Sequence, residues 1–163
     1  MSRPAHILLV EAPYYAHIAD HLRKGAERAL TEAGATYEVI AVPGAFEIPA
    51  AIGMVARSTG RFDGFVALGC VIRGETTHYD HICAESARGL QDLAVRDGLA
   101  IGYGILTVEN EAQALARASA EQRDKGGEAV RACLALVALK HRLAGEENGY
   151  TTTTTRRVAA ATG

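Results

Sequence analysis

Two rhythms of hydrophobic and polar positions alternate along this chain. Short continuous apolar runs recur every roughly 30 residues, and between them apolar residues return at three- and four-residue steps. The first run, HILLV at 6–10, has the length of a buried strand. Ile18, Leu22, Ala26, Ala29, Leu30 and Ala33 then form a helical stripe, with Gly34 as its stop. TYEVIAV at 36–42 is rich in β-formers and ends at Pro43-Gly44. A helix is predicted from Ile48 to about Ser58, because Pro49 suits a first turn that needs no N–H. FVALGCV at 65–71 is apolar on both faces, as a central parallel strand is. A helix over about 80–96 follows and stops at Asp97-Gly98, and AIGYGILTV at 100–108 is the fourth strand. Residues 111–120 are a helical candidate, and Gly126-Gly127 marks a boundary. The last helix carries Val130, Leu134, Val137 and His141, with Leu136, Leu139 and Leu143 beside them. That stripe is too wide for one core face. Either the helix is deeply buried or its second side meets another subunit.

Strands alternating with helices at this spacing predict βαβ units. The expected fold is a flavodoxin-like three-layer α/β/α sandwich with a four-stranded parallel sheet. A sheet this small has open edges, so association with other copies is expected. The folded domain is expected over 1–144. Residues 145–163 hold five consecutive threonines at 151–155 followed by RRVAAATG, and read as a low-complexity, disordered tail with no catalytic part.

A length of 163 residues, with 48% hydrophobic and 22% charged, fits one domain with its own core. A formal charge of −2 gives no basic field for nucleic acid or anionic lipid. No apolar run is long enough for a membrane span, and MSRPAHILLVEAPYY lacks the zones of a signal peptide. The expected location is cytoplasmic. Cys70, Cys83 and Cys133 are widely spaced and form no CxxC, which reads as reduced, mostly buried thiols. The alternative, a zinc site from His78, His81 and Cys83, lacks a second ligand cluster, and no metal is expected.

Open α/β sheets bind ligands beyond the carboxyl ends of their strands. The unusual residues gather there: Tyr14-Tyr15, PGAFEIP at 43–49, VIRGETTH at 71–78, and 103–107. Gly74-Glu75-Thr76-Thr77 enters a helix, where free N–H groups and the dipole favour an anion. A plain N-cap by Thr76 or Thr77 accounts for it equally well. No GxxxxGK[ST] is present, so this is not a nucleotide P-loop. His78 adjoins the loop and can move protons near neutral pH, although a lone histidine is more often a surface group. His81 reads as structural. Glu47 can accept hydrogen bonds from a polyol or simply complement a helix dipole. Tyr14 can stack on a planar ring or pack on the first helix. Arg117 and Lys125 can neutralise a phosphate or sit on a solvated face. The residues by themselves point to an α/β domain binding a small, anionic, partly planar ligand without metal or dinucleotide.

These residues also carry a resemblance. VPGAFEIP at 42–49 and GCVIRGETTHYD at 69–80 resemble the two strongest motifs of the lumazine synthase family, and ILTVEN at 105–110 and DKGGEA at 124–129 resemble weaker ones. Order and spacing agree from about residue 6 to 143. The resemblance implies condensation of 5-amino-6-(D-ribitylamino)uracil with 3,4-dihydroxy-2-butanone 4-phosphate to 6,7-dimethyl-8-ribityllumazine, with no metal or organic cofactor, at sites shared between subunits. By position it implies that Tyr14 stacks on the pyrimidine. Ala45, Phe46 and Glu47 are expected to bind the ring edge and ribityl chain, and Val71 and Ile72 to line the pocket. Glu75 and Thr76 are expected to offer backbone N–H groups to phosphate, with His78 moving the proton. Tyr103 and Arg117 are expected from a neighbouring subunit, and Lys125 near the same site. Tyr14 and Tyr103 stand where Phe is common in the family, and Pro13 where Arg is frequent. SAEQRDKG at 119–126 lacks the Gly-rich turn of members that form sixty-subunit shells, which favours a pentamer.

Two other readings compete. A binding protein that stores a flavin or lumazine would not need His78, Arg117 and Glu47 together. A signalling receiver domain needs an acidic cluster after strand one and an Asp after strand three, where this chain has Glu11 alone and Val71-Ile72-Arg73.

Overall fold

The computed structural model describes residues 3–145. The stretch expected to be a disordered tail lies outside them, apart from Gly145. Among the described residues the chain runs β1 (His6–Glu11), α1 (Ala16–Glu32), β2 (Thr36–Ala41), a 3₁₀ turn (Ala45–Glu47), α2 (Ile48–Ser58), β3 (Gly64–Ile72), α3 (His78–Asp97), β4 (Ile101–Val108), α4 (Glu111–Ala118) and α5 (Lys125–Leu143). All strand pairs are parallel and the order is β2-β1-β3-β4. β1 and β3 take the middle, with Leu8 opposite Phe65 and Val10 opposite Ala67. Side chains on both of their faces are buried, which is why they read as unbroken apolar runs.

Two cores result. On one face, Ile7, Leu9, Val66 and Leu68 pack against Ile18 and Leu22 of α1 and Val130 of α5, with α4 beside them. On the other, Leu8, Val10 and Phe65 pack against Ile48 and Ile52 of α2 and Leu90 of α3. Each fully buried Leu or Ile contributes about 1.5–3 kcal/mol, so the sheet centre is the most strongly held part. This is the three-layer α/β/α sandwich that the spacing predicts. No helix among the described residues is long and apolar enough to cross a membrane.

The differences from the sequence expectations lie at helix ends and in register. α3 begins at His78, two residues before the expected start, so the histidine is part of the helix. α4 ends at Ala118 because Ser119 turns extended. Ala33 is the exposed C-cap of α1 and no part of its buried stripe. Gly126-Gly127 does stand at the start of the last helix, one residue inside it, in the buried first turn of α5. Asp124, in the left-handed region with φ 45, caps that helix by accepting from the Gly127 N–H at 3.2 Å. The glycines serve close approach: a Cβ on Gly126 would collide with the Leu22 carbonyl oxygen of α1. The inward side of α5 is Ala129, Val130, Cys133 and Val137, so Cys133 takes the core position expected of Leu134.

The outer side of α5 leaves Leu136, Leu139 and Leu143 exposed. α3 buries only Ser86 and Leu90 among its 20 residues. Of the two readings of the wide α5 stripe, deep burial within one chain is therefore excluded.

Replacing Gly126 by Ala is expected to cost about 1–3 kcal/mol, since the Cβ must displace backbone. Gly60→Ala, where a Cβ meets nothing within 4 Å, is expected to stay within about 0.5 kcal/mol of wild type. Urea unfolding checks both. Equal midpoints for the two variants would remove the tight α1–α5 contact as a stability determinant.

Candidate active site

The sheet order reverses between β1 and β3. The chain leaves β1 toward β2 on one side, and later leaves β3 toward β4 on the other. Loops after these strands diverge and leave a crevice at their carboxyl ends. That crevice is a cleft of about 600 Å³. Three segments build it. Tyr14 and Tyr15 follow β1, Pro43 to Glu47 follow β2, and Cys70, Val71 and Ile72 end β3 beside His78 and Ile82 of α3.

Tyr14 is 75% exposed, so it is not packed onto the first helix. Its ring stands edge-on to Tyr15, with centroids 5.0 Å apart at 77°, an arrangement aromatic pairs favour. A face of Tyr14 thus stays available to a planar ligand. Phe46 is exposed at the cleft as well. Glu47 is the N-cap residue of α2 but makes no capping hydrogen bond. Its Oε2 instead folds back to 3.1 Å from where a Cβ of Gly44 would be. Glycine at 44 leaves the carboxylate room beside the backbone, open to a hydroxyl donor.

Loop 74–77 is exposed. Thr77 is the N-cap of α3 without a side-chain capping bond. The Thr76 Oγ1 accepts from the His78 N–H at 3.3 Å. Of the two accounts of this loop, helix capping thus occupies one N–H of the first turn, through Thr76 and not Thr77. His78 is exposed at the cleft as the first residue of α3, with Ile82 one turn on beneath it.

Seven residues singled out in the sequence, Tyr14, Ala45, Phe46, Glu47, Val71, Ile72 and His78, share this cleft. Glu75 and Thr76 lie next to it in the chain but outside its lining. Tyr103, Arg117 and Lys125 lie elsewhere on the same chain. Tyr103 projects from β4, 45% exposed, beside Tyr79, Cys83 and Ser86 of α3. Burial of its phenol there raises its pKa above the usual tyrosine range, and Cys83 and Tyr79 add to the effect. The Arg117 Nη1 donates to the Gln113 carbonyl at 3.1 Å. The Lys125 Nζ pairs with Glu128 at 2.6 Å. Neither cation meets the cleft of its own chain.

Sequence reasoning placed Tyr15, Pro43 and Gly44 at these strand ends without giving them a role, and missed Cys70 and Ile82 as lining residues. Pro43 and Gly44 stand inside the 42–49 motif, and Ile82 is four residues from His78 on one helix face, so both signals were readable. Cys70 was not, because its side chain belongs to the α1 face of β3 and reaches the cleft only where the strand ends. Among the described residues no cluster of three His, Cys, Asp or Glu could hold a metal ion. Glu11, the acid at the end of β1, is buried and paired with Arg23 at 2.9 Å, so it offers no free carboxylate for a receiver-type site.

A family model described as 6,7-dimethyl-8-ribityllumazine synthase matches residues 4–141. The chain is 55% identical to 6,7-dimethyl-8-ribityllumazine synthase 1 of Rhizobium meliloti, over 89% of this chain and 97% of that one. It is 58% identical to the 6,7-dimethyl-8-ribityllumazine synthase of Agrobacterium fabrum, over 89% of this chain and all of the other. The similarly named protein of Paramagnetospirillum magneticum is 47% identical, over 85% of this chain and 97% of its own length.

Burial pushes the Cys70 thiol up to about 11 and the Cys133 thiol up to about 12. At pH 7.5 only about three Cys70 thiols in ten thousand are then ionised, and the thiolate is the reactive form. Iodoacetamide is expected to leave both unmodified in the native protein and to label both in urea, read by peptide mass spectrometry. Native labelling of Cys70 as fast as a free thiol would show that the cleft does not shield it.

Proposed function

The chain belongs to the 6,7-dimethyl-8-ribityllumazine synthase family, and we propose that its reaction takes place in the cleft at the ends of β1, β2 and β3, completed by a neighbouring copy. The activity is the penultimate step of riboflavin biosynthesis. The primary amine of 5-amino-6-(D-ribitylamino)uracil condenses with the ketone of 3,4-dihydroxy-2-butanone 4-phosphate. An imine forms with loss of one water, phosphate leaves, and ring closure with loss of a second water gives 6,7-dimethyl-8-ribityllumazine.

One observation carries the placement: the cleft holds an aromatic face, a free carboxylate and a histidine, while the candidate phosphate cations of the same chain lie outside it. In this reading Tyr14 stacks on the pyrimidine, Ala45 and Phe46 hold its edge, and Glu47 accepts hydroxyls of the ribityl chain. Val71 and Ile72 wall the pocket. Loop 74–77 faces the phosphate with the backbone N–H groups of Glu75 and Thr76. His78 shuttles protons during imine formation and phosphate departure. Tyr103 of a neighbouring copy closes the ring pocket, and its Arg117, with Lys125, neutralises the phosphate.

Two substrates must meet, so fixing their orientation removes up to roughly 7–11 kcal/mol of barrier in favourable systems. Proton transfer by a histidine adds about 10²–10⁴-fold. Positioning therefore outweighs acid–base help. The uncovered surfaces of α3, α5 and β4 support an assembly, and we read it as a homopentamer because SAEQRDKG at 119–126 lacks the Gly-rich turn of shell-forming members. The unpaired state of Cys70, Cys83 and Cys133 suits a reducing, cytoplasmic setting.

His78→Ala is expected to lower kcat by about 10²-fold without abolishing turnover. Arg117→Ala is expected to raise KM for the phosphate substrate about tenfold or more, and an unchanged KM would remove Arg117 from the site. Co-expressing the two variants tests the shared site. Random mixing makes roughly one interface in four intact, so about a quarter of wild-type activity is expected to return when the phosphate substrate is kept well below its KM. No recovery in mixed assemblies would place each site within one chain. Light scattering is expected to give five chains, and a mass near sixty would overturn the pentamer.

A further inference from the structure

Loop 74–77 and His78 are exposed, yet the reading above requires them held to within a fraction of an ångström. The segment's own hydrogen bonds do not supply this. The Thr76–His78 bond and the first-turn bonds from Asp80 and His81 to the Thr77 carbonyl are internal to loop and helix. Hydrogen bonds within a loop give it shape but do not locate it against the sheet.

Arg73, the residue before the loop, reaches across to four other groups. Its backbone N–H donates to the Val108 carbonyl at 2.9 Å, which fixes the loop's start to the end of β4. Its Nε lies 2.9 and 3.2 Å from the two carboxylate oxygens of Glu109. Its Nη1 is 3.4 Å from Asp80 in the first turn of α3. Its guanidinium also lies over the Tyr79 ring, 4.2 Å from the centroid. Tyr79 and Asp80 directly follow His78, so one side chain spans from the base of the loop to its far end.

We infer that Arg73 is a positioning residue, which closes the loop as a clasp and sets His78 and the loop N–H groups against the cleft. The inference rests on the site reading above. Exposed ion pairs contribute little stability, so this arrangement is poorly explained as a fold stabiliser. A planar guanidinium that stacks on one ring while meeting two carboxylates fixes direction, which a lysine cannot reproduce. Glu109 extends the clasp. Its N–H donates to the Gln113 side chain at 2.9 Å, Asn110 caps α4 by accepting from Gln113 N–H at 2.9 Å, and Arg117 donates to the Gln113 carbonyl. The histidine loop and the helix that carries Arg117 thus share one junction.

The test uses the full chain with Arg73→Met, Arg73→Lys and Glu109→Gln, each alone and combined with His78→Ala. Arg73→Met is expected to lower kcat about tenfold and to raise KM for the phosphate substrate several-fold, with KM for the pyrimidine changed less than about twofold. Arg73→Lys is expected to recover part of the loss. Once His78 is Ala, the further kcat loss from Arg73→Met is expected to shrink to about twofold or less, because the imidazole it places is gone. Equal losses in both backgrounds would overturn the inference, as would an equal rise in both KM values or unchanged kinetics. Should Arg73→Met not fold, Glu109→Gln answers the same question, since it keeps the arginine on Tyr79 and removes one carboxylate. Wild type and Arg117→Ala are measured alongside. If wild type does not convert the two substrates, or Arg117→Ala leaves KM unchanged, the site reading falls and takes this inference with it. If both behave as expected while the Arg73 variants do not, the clasp alone is wrong.

Discussion

All four strands of this sheet run the same way, and the chemistry depends on that constraint. Parallel strands bring every carboxyl end to one edge, so residues far apart in sequence meet there without a dedicated scaffold. β1 and β3 lie side by side because both are apolar on two faces, and only the middle of the sheet buries both. Their adjacency makes the loops diverge, and the divergence is the cleft. A polar residue on either inner face would attack the site from below by loosening the two strands that aim Tyr14 and His78.

Most of this was legible. Strands and helices followed from apolar runs and three- and four-residue steps, because burial sets those periods directly. α2 was placed from Ile48 to Ser58 because Pro49 and the Thr59-Gly60 turn mark its ends chemically. The failures came where packing overrode local signals. Gly126-Gly127 marks a boundary, yet only the approach of α1 explains glycines inside a buried turn. Leu134 is the more hydrophobic residue, yet Cys133 faces the core because the glycines set the rotation of α5. The cleft was readable as three motifs at strand ends, and its floor was not, since Cys70 enters through the geometry of a strand terminus.

Under the proposed shared site, a single chain presents half of each requirement. The aromatic, carboxylate and imidazole groups face one cleft, whereas Arg117 and Lys125 face away from it and satisfy themselves locally with the Gln113 carbonyl and Glu128. Such local bonds are replaceable: an exposed lysine–glutamate pair is worth about 0–1 kcal/mol, and a doubly charged phosphate is a stronger partner. In the proposed shared site, the isolated chain would keep its cations occupied without strain and release them to the substrate's phosphate. The proposed sharing of sites would also account for Leu136, Leu139 and Leu143 on the outer side of α5, which a single chain leaves uncovered.

If one copy serves two sites, its two contributions must keep a fixed distance, and α1 provides the fixed member. Tyr14 and Tyr15 stand at its start, in the cleft. Near its other end Arg28 grips the turn between α4 and α5. It donates to the Ala120 carbonyl at 3.0 Å and to Glu121 at 3.1 Å, and lies 3.7 Å from Asp124. Asp124 in turn caps α5 and pairs with Arg131 at 3.3 Å. The bases of Arg117 and Lys125 are thereby tied to the same rod that carries Tyr14. A helix of 17 residues is about 25 Å long and stiff, and its inner side is locked by the glycine contact with α5. The turn at 119–124 need not be rich in glycine for this arrangement. It needs to be short and held, and Arg28 with Asp124 holds it from both sides.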